Sequence, residues 1–338
     1  MLTPTTKFSM NTKTNCKFLS LLKLISIFLT LVCFSGNSFS QNSAVKNAEI
    51  EAGLNKTPDG QFIIGLKYYK DGDKAGAFEY FKKSAEQGYA DAQTHLAIMY
   101  SEGDFAAKDM KQAAYWFQKA AEQGDKDSQY LLGVLYYFGK GAAKDLVQAA
   151  RYFRMSAEQG HVGAQYYLGS MYNEGEGVAK DMKQAVYWYK KSAEQGGADA
   201  QQALGDVYYS GEVGSKDFKQ SAYWYLKAAQ QGQGSAQNNL GAMYIDGEGV
   251  KKNEVEGLAW LYLAKDNGSE NAAGNISVIE RKLGKKGVFA AQQRAKEILK
   301  KINAQSSNAA TPEQETRDTS KTDSTPASKP PPPKSKNP

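Results

Sequence analysis

The chain holds two histidines, His95 and His161, and these are the first candidates for metal or acid–base chemistry. A structural or catalytic zinc needs three or four converging Cys, His or carboxylate ligands. The two histidines lie in different segments and have no cysteine partners, so both read as surface residues. Paired glycines such as Gly175 and Gly177 could suggest a phosphate cradle. That chemistry needs a preceding strand and a following Gly-Lys-Ser/Thr, and neither is present. The acids Asp109, Asp145, Asp181 and Asp217 could do acid–base work, but each occupies the same place in a repeating pattern, where a capping role accounts for it. No Gly-x-Ser-x-Gly or His-Glu-x-x-His signature occurs. The expectation is a chain with no catalytic residue, no metal and no cofactor.

The elements behind this pattern follow one period. Ala-Glu-Gln-Gly ends at Gly88, Gly124, Gly160 and Gly196, and variants end at Gly232 and Gly268, always 36 residues apart. A fixed period of this size marks a stacked repeat, each unit burying its apolar face against its neighbours. In one unit Ala92, Leu96 and Tyr100 fall four apart, on one face of a helix A. The Leu column recurs as Leu132, Leu168, Leu204 and Leu240, and beside it stand Ala97, Gly133, Gly169, Gly205 and Gly241. Glycine inside a helix costs up to about 1 kcal/mol against alanine, so its recurrence implies close approach of a second helix. That helix B opens on Asp with Gln three residues on (Asp109/Gln112, Asp181/Gln184), the spacing of a capping box. It carries an aromatic pair such as Trp188-Tyr189 and ends at a glycine suited to the left-handed cap. The first unit matches only if four loop residues are missing. The fold class is therefore all-α: an α/α superhelical solenoid of 36-residue helix pairs over residues 55–302. It comprises six pairs and a C-terminal capping pair.

The string Leu168-Gly169, Tyr172, Gly175, Gly177, Asp181, Ala185, Trp188-Tyr189, Ser192-Ala193 and Gly196 closely resembles the Sel1-like repeat, a relative of the tetratricopeptide repeat. The resemblance covers about residues 60–280. It implies a right-handed superhelix whose helix A lines the concave face, and a protein-binding role in signalling, envelope or host-interaction processes. Its disulfide-stapled secreted members carry cysteines that this chain lacks.

Composition bounds the rest. Residues 1–40 carry Lys7, Lys13, Lys17 and Lys23, no acid, and an apolar run from Leu24 to Phe34. Ser38 and Ser40 precede a cut before Gln41, the pattern of a secretory signal. The apolar run falls short of the roughly 20 residues of a relaxed span, so a cleaved signal is favoured over a retained anchor. Both cysteines, Cys16 and Cys33, lie inside it, so the repeats rely on packing alone. The expected destination is periplasmic or secreted. The whole chain is +6, but residues 41–278 hold 25 basic against 30 acidic side chains. A mildly acidic body argues against nucleic acid, which needs a basic stripe. Residues 41–54 read as a linker. Residues 303–338 hold seven of the nine prolines and few apolar groups, and read as a disordered tail.

Columns that vary between repeats are free of the packing constraint and so mark a binding face. On helix A these are positions 94, 98 and 101 and their counterparts. The expected concave, partner-binding residues are Tyr130, Val134, Tyr137, Tyr166, Ser170, Asn173, Asp206 and Tyr209. Tyrosine suits interfaces because it joins apolar area to a hydrogen-bonding tip. Truncating Leu168 to Ala is expected to cost about 2–5 kcal/mol, whereas Tyr166→Ala should leave the fold nearly intact. The expected partner is a protein, and an uncovered terminal repeat can pair with a second copy. The alternative function is an envelope hydrolase or peptidoglycan-processing enzyme.

Overall fold

The computed structural model describes residues 53–309. The expected signal segment, most of the linker and the tail from residue 310 lie outside them. Thirteen α-helices lie within the described residues, and no strand. They are α1 (Pro58–Lys70), α2 (Lys74–Glu86), α3 (Ala90–Glu102), α4 (Met110–Glu122), α5 (Lys126–Phe138), α6 (Leu146–Glu158) and α7 (Val162–Glu174). Then follow α8 (Met182–Glu194), α9 (Ala198–Ser210), α10 (Phe218–Gln230), α11 (Gly234–Asp246), α12 (Glu254–Asp266) and α13 (Ala272–Ala309). Odd-numbered helices to α11 are helix A, and even-numbered ones are helix B. Helix B starts 20 residues after helix A in the second pair (Ala90 to Met110) and 16 after it in the first (Pro58 to Lys74). The first loop is thus four residues shorter.

Local chemistry sets every boundary. Helix A stops at a left-handed glycine, Gly103, Gly139, Gly175, Gly211 or Gly247, whose N–H returns to the preceding turn. Helix B starts where Asp109, Asp145, Asp181 or Asp217 accepts two backbone N–H groups at 2.9–3.1 Å. The return half of the capping box is absent. The N–H of each capping Asp donates to a tyrosine carbonyl on helix A, for example Asp181 to Tyr172 at 2.9 Å. The Gln three residues on is left exposed at Gln112, Gln184 and Gln220.

The two helices of a pair meet at a fixed point. A Cβ on Gly133, Gly169 or Gly205 would come within 2.4–2.8 Å of the ring of Phe153, Tyr189 or Tyr225. The glycine column therefore exists to seat the second aromatic of helix B. Leu96, Leu132, Leu168, Leu204 and Leu240 are fully buried beside it.

Between repeats the main tie is a relay of glutamines. Gln93, Gln129, Gln165, Gln201 and Gln237 on helix A are at most 4% exposed. Each donates its side-chain amide to an alanine carbonyl near the end of the preceding helix B: Ala85, Ala121, Ala157, Ala193 and Ala229, at 2.9–3.1 Å. The same Gln oxygen accepts from the side chain that ends its own helix B. These donors are Gln123, Gln159, Gln195 and Gln231 at 2.8 Å and Asn267 at 3.0 Å. The Gln of Ala-Glu-Gln-Gly is thus a relay donor.

The last unit is closed by α13, which Gly284 (φ 62°, ψ −179°) breaks in two. Ile276, Ile279 and Ala291 pack on Leu258 and Leu261 of α12. Charge pairs fix the contact: Arg294 donates to Glu256 at 2.6 Å and Lys282 to Glu254 at 2.6 Å. Glu256 stands where earlier repeats have the exposed Gln, and Arg294 explains the change. Glu280, which stands in the column held by tyrosine in earlier repeats, accepts from the Tyr262 hydroxyl at 2.7 Å. The helix runs on to Ala309, past the tail's expected start at residue 303.

Gln165→Ala removes both relay bonds, leaving the Ala157 carbonyl with the Gly160 N–H alone and the Gln195 amide with the Lys191 carbonyl alone. The expected loss is about 1–3 kcal/mol, the worth of two hydrogen bonds in a buried seam. Gln184→Ala touches only an exposed side chain and should stay within about 0.5 kcal/mol. Urea unfolding of the two variants measures the contrast, and equal losses would restore the capping box in place of the relay.

Candidate functional site

The variable helix-A column divides into two parts. Tyr130, Val134 and Tyr137 of α5 are 4%, 0% and 9% exposed. The Tyr130 ring stacks on His161 at 4.2 Å and leans on Tyr167 at 6.1 Å. The Tyr137 hydroxyl donates to Glu176 of the next repeat at 2.6 Å. These three side chains fill the seam between consecutive repeats and do not line an open groove, which corrects the sequence expectation for them. The physical reason is that they vary in matched sets with the residues they meet across the seam. Tyr209 repeats the arrangement, donating to Glu248 at 2.8 Å, and Tyr69 does so with Asp104 at 3.4 Å.

Tyr166, Ser170 and Asn173 of α7 and Asp206 and Tyr209 of α9 are half-buried, so part of each side chain reaches solvent. They form a strip of phenol, hydroxyl, amide and carboxylate along equivalent helices of two consecutive repeats. The Tyr166 ring rests on Tyr189 at 6.0 Å and edge-on to Tyr167 at 5.5 Å. Such aromatic pairs contribute about 0.5–1.5 kcal/mol each, so Tyr166→Ala has a packing cost that the sequence expectation leaves out. Burial raises the Tyr166 phenol well above its usual range, with Asp199 adding to the shift. Burial and the bond to Glu248 push Tyr209 up to about 12. Both phenols are therefore neutral hydrogen-bond donors at physiological pH.

Asp206 is the charged member of the strip. Its carboxylate accepts from the Tyr225 hydroxyl on α10 at 2.6 Å and from the Asn239 amide on α11 at 3.5 Å. Burial pushes its pKa up to about 6, partly offset by the hydrogen bonds of Tyr225 and Gln202.

Both histidines are half-buried, less open to solvent than the sequence expectation has them. His95 lies against the rings of Phe62 at 5.0 Å and Phe81 at 5.2 Å, and burial lowers its pKa. His161 caps α7, its Nδ1 accepting the Ala164 N–H at 3.1 Å. Burial and Lys126 pull its pKa down to about 4. Among the described residues no group of three His, Cys, Asp or Glu side chains could hold a metal ion. No described helix is long and apolar enough to cross a membrane.

A second surface lies on helix B and is missing from the sequence reading. Tyr115, Tyr187 and Tyr223 are 50%, 49% and 49% exposed. Each stands edge-on to the tryptophan after it, at 5.0, 4.9 and 5.0 Å, and under a lysine one turn on, Lys119, Lys191 or Lys227. An open groove of about 510 Å³ adjoins the middle one, lined by Glu158, Tyr187, Trp188, Lys191 and Gln195 among others. The signal is available as Tyr-Trp-x-x-Lys in three repeats, at intervals of 72 and 36 residues.

Because folding raises the Asp206 pKa, the folded state holds a proton there that the unfolded chain has lost. That contribution is present in full below the unfolded value near 4 and is lost as pH rises through about 6. Asp206→Asn keeps an acceptor for Tyr225 without the charge. It should stabilise the protein by about 1–3 kcal/mol at pH 7.5 and by nearly nothing at pH 4. Thermal unfolding at both values measures this; a constant difference would place the carboxyl in an unperturbed setting.

The Sel1 repeat profile matches six consecutive stretches, 58–89, 90–125, 126–161, 162–197, 198–233 and 234–269. Each stretch starts at the first residue of a helix A. Among solved structures, a Sel1 repeat protein from Oxalobacter formigenes is 30% identical with a TM-score of 0.59, covering 66% of this chain and 66% of its own, just under two thirds. A Sel1 repeat protein from Klebsiella pneumoniae subsp. pneumoniae is 28% identical over 60% of this chain and 99% of its own, with a TM-score of 0.40. The c5321 protein, a protective antigen of uropathogenic Escherichia coli strains, is 26% identical over 78% of this chain and 74% of its own, with a TM-score of 0.40. No curated protein matches. Sel1 repeat proteins generally act as scaffolds that bind other proteins and are typically non-catalytic. With six matched repeats and six helix pairs that begin with them, the chain belongs to the Sel1 repeat family.

Proposed function

We propose that this protein is an exported scaffold that holds a protein partner against the half-exposed strip of α7 and α9. The observation that carries the reading is the strip itself. Tyr166, Ser170, Asn173, Asp206 and Tyr209 are half-buried, while the equivalent α5 column is sealed. A groove of neutral donors with one acid suits an extended or helical segment. Export rests on the lysines, apolar run and small residues before Gln41, and leads to the periplasm or the medium.

Three baits test the site in affinity capture from envelope extract: the full chain, Tyr166→Ala with Asn173→Ala, and Tyr187→Ala with Tyr223→Ala. All three must first show the same helicity. The expected result is a partner held by the first and third baits and reduced at least tenfold on the second. Loss on the third bait alone would move the site to the helix-B ridge. Mass spectrometry of the chain recovered from cells should find Gln41 at its start, in periplasmic fluid or culture supernatant. Recovery of residues 1–40 on the membrane-bound chain would make it an anchored protein instead.

A further inference from the structure

We propose that the strip selects its partner through a single lysine or arginine side chain, which enters beside Asp206 and pairs with its carboxylate. The proposal rests on the reading of the strip as the partner surface and gives that surface a chemical preference.

The first support is the setting of the carboxylate. Asp206 sits between three elements and is served only by neutral donors: the hydroxyl of Tyr225 on α10, the amide of Asn239 on α11, and Gln202 on its own helix. The other ionisable groups facing it are Tyr189 on α8 and Glu212 in the loop after α9. Neither brings a positive charge. Lys216, in the loop after α9, places its ammonium over the rings of Tyr209 and Phe218 at 5.8 Å.

The second support is how the chain treats other shielded acids. Asp104, Glu254 and Glu256 have side chains 18%, 19% and 13% exposed, and each holds a Lys or Arg at 2.6 Å. Asp206, like Glu176, Glu248 and Glu280, is held by a tyrosine hydroxyl and has no such partner among the described residues. A carboxylate taken out of water without a counter-charge is costly, and a cation supplied from outside relieves that cost.

The third support is position. The loop edge beside the strip carries Glu174, Glu176, Glu212, Asp246 and Glu248 interspersed with Lys180, Lys216, Lys251 and Lys252, so no excess of positive charge bars a basic side chain. Two of the acids are already hydrogen-bonded, Glu176 by Tyr137 and Glu248 by Tyr209. A lysine or arginine also has the length to reach a half-buried group from the surface, keeping its stem on Tyr166 and Tyr209.

The test begins with a random dodecapeptide library panned against the full chain at pH 7.5. Fluorescein-labelled copies of the enriched peptides are then measured by anisotropy. The expected peptides share one Lys or Arg. Replacing it by norleucine or citrulline should weaken binding at least tenfold, and so should Asp206→Asn. In the double-mutant cycle the two losses should not add, because each removes the same pair. Wild-type binding should also fall at pH 5, where Asp206 is protonated, and binding to Asp206→Asn should not.

Enriched peptides without a basic residue would overturn the proposal, and so would an additive cycle. Peptides lost on Tyr166→Ala with Asn173→Ala but indifferent to Asp206→Asn would overturn the cation and keep the strip. Peptides indifferent to both variants, or an empty selection, would count against the strip as well. Asp206→Asn is expected to be the more stable protein, so a loss of binding cannot come from unfolding.

Discussion

The end of each helix B poses the problem on which the stacking of repeats depends. A helix leaves its last carbonyls without intrahelical partners. In an isolated helix water satisfies them. Here the next repeat covers them: the glycine three residues on donates its N–H to the alanine carbonyl, as Gly160 does to Ala157, and a second donor must come from that repeat. The buried glutamine on helix A supplies it, and the terminal Gln or Asn of its own helix B accepts the remaining duty by donating to the same side chain. One amide thereby joins three helices. An alanine at Gln165 would remove two hydrogen bonds from a buried seam, whereas an alanine at an apolar position would leave only a cavity. The relay fixes the rotation of one pair on the next, because a hydrogen bond tolerates misalignment less than an apolar contact does.

Within a pair the determining contact is steric. Glycine on helix A lets the ring of helix B rest on bare backbone, and a methyl group there would meet ring carbons well inside contact distance. Gly65 and Phe81 obey this as well, though their loop is four residues shorter. The loop could shorten because the contact is made by the bodies of the helices. In the last repeat Gly241 faces Leu261 and the Gly257 carbonyl, so closeness survives the loss of the aromatic. What these contacts hold steady is the line of helix-A side chains that face the seam and the strip.

The helices and their boundaries were legible because each is marked by a residue with one local role: a capping Asp, a left-handed Gly, an apolar column. The relay was equally visible as Gln at every 36th residue, yet a polar residue on a helix is easily taken as solvated. Ala-Glu-Gln-Gly was read for its glycine alone. The capping box failed for a tertiary reason, since the N–H it would have used is already given to a tyrosine carbonyl of helix A. The two histidines misled in the same way: a residue without sequence neighbours of its kind looked like surface, and neighbours from other helices covered it.

The reading of the binding face failed in part, and the failure is informative. Variation between repeats suggests freedom from packing. Across the seam, however, a residue needs only to match its counterpart in the next repeat, so Tyr137 with Glu176 and Thr94 with Ser128 are both good solutions. Variation alone therefore cannot separate a seam from a surface. Comparison within one column can. The position of Asp206 is Ile98, Val134, Ser170 and Ala242 elsewhere, and Val134 there is wholly buried. The column is apolar where helix B carries Phe117 or Phe153, and where it carries a tyrosine the column needs only an acceptor, which Ser170 gives to Tyr189 without a charge and Asp206 gives to Tyr225. A shielded charge at a site where a hydroxyl suffices lowers stability, so the packing of the array does not account for the charge. That argument separates Asp206 from the neutral polar residues of the strip, which carry no comparable cost.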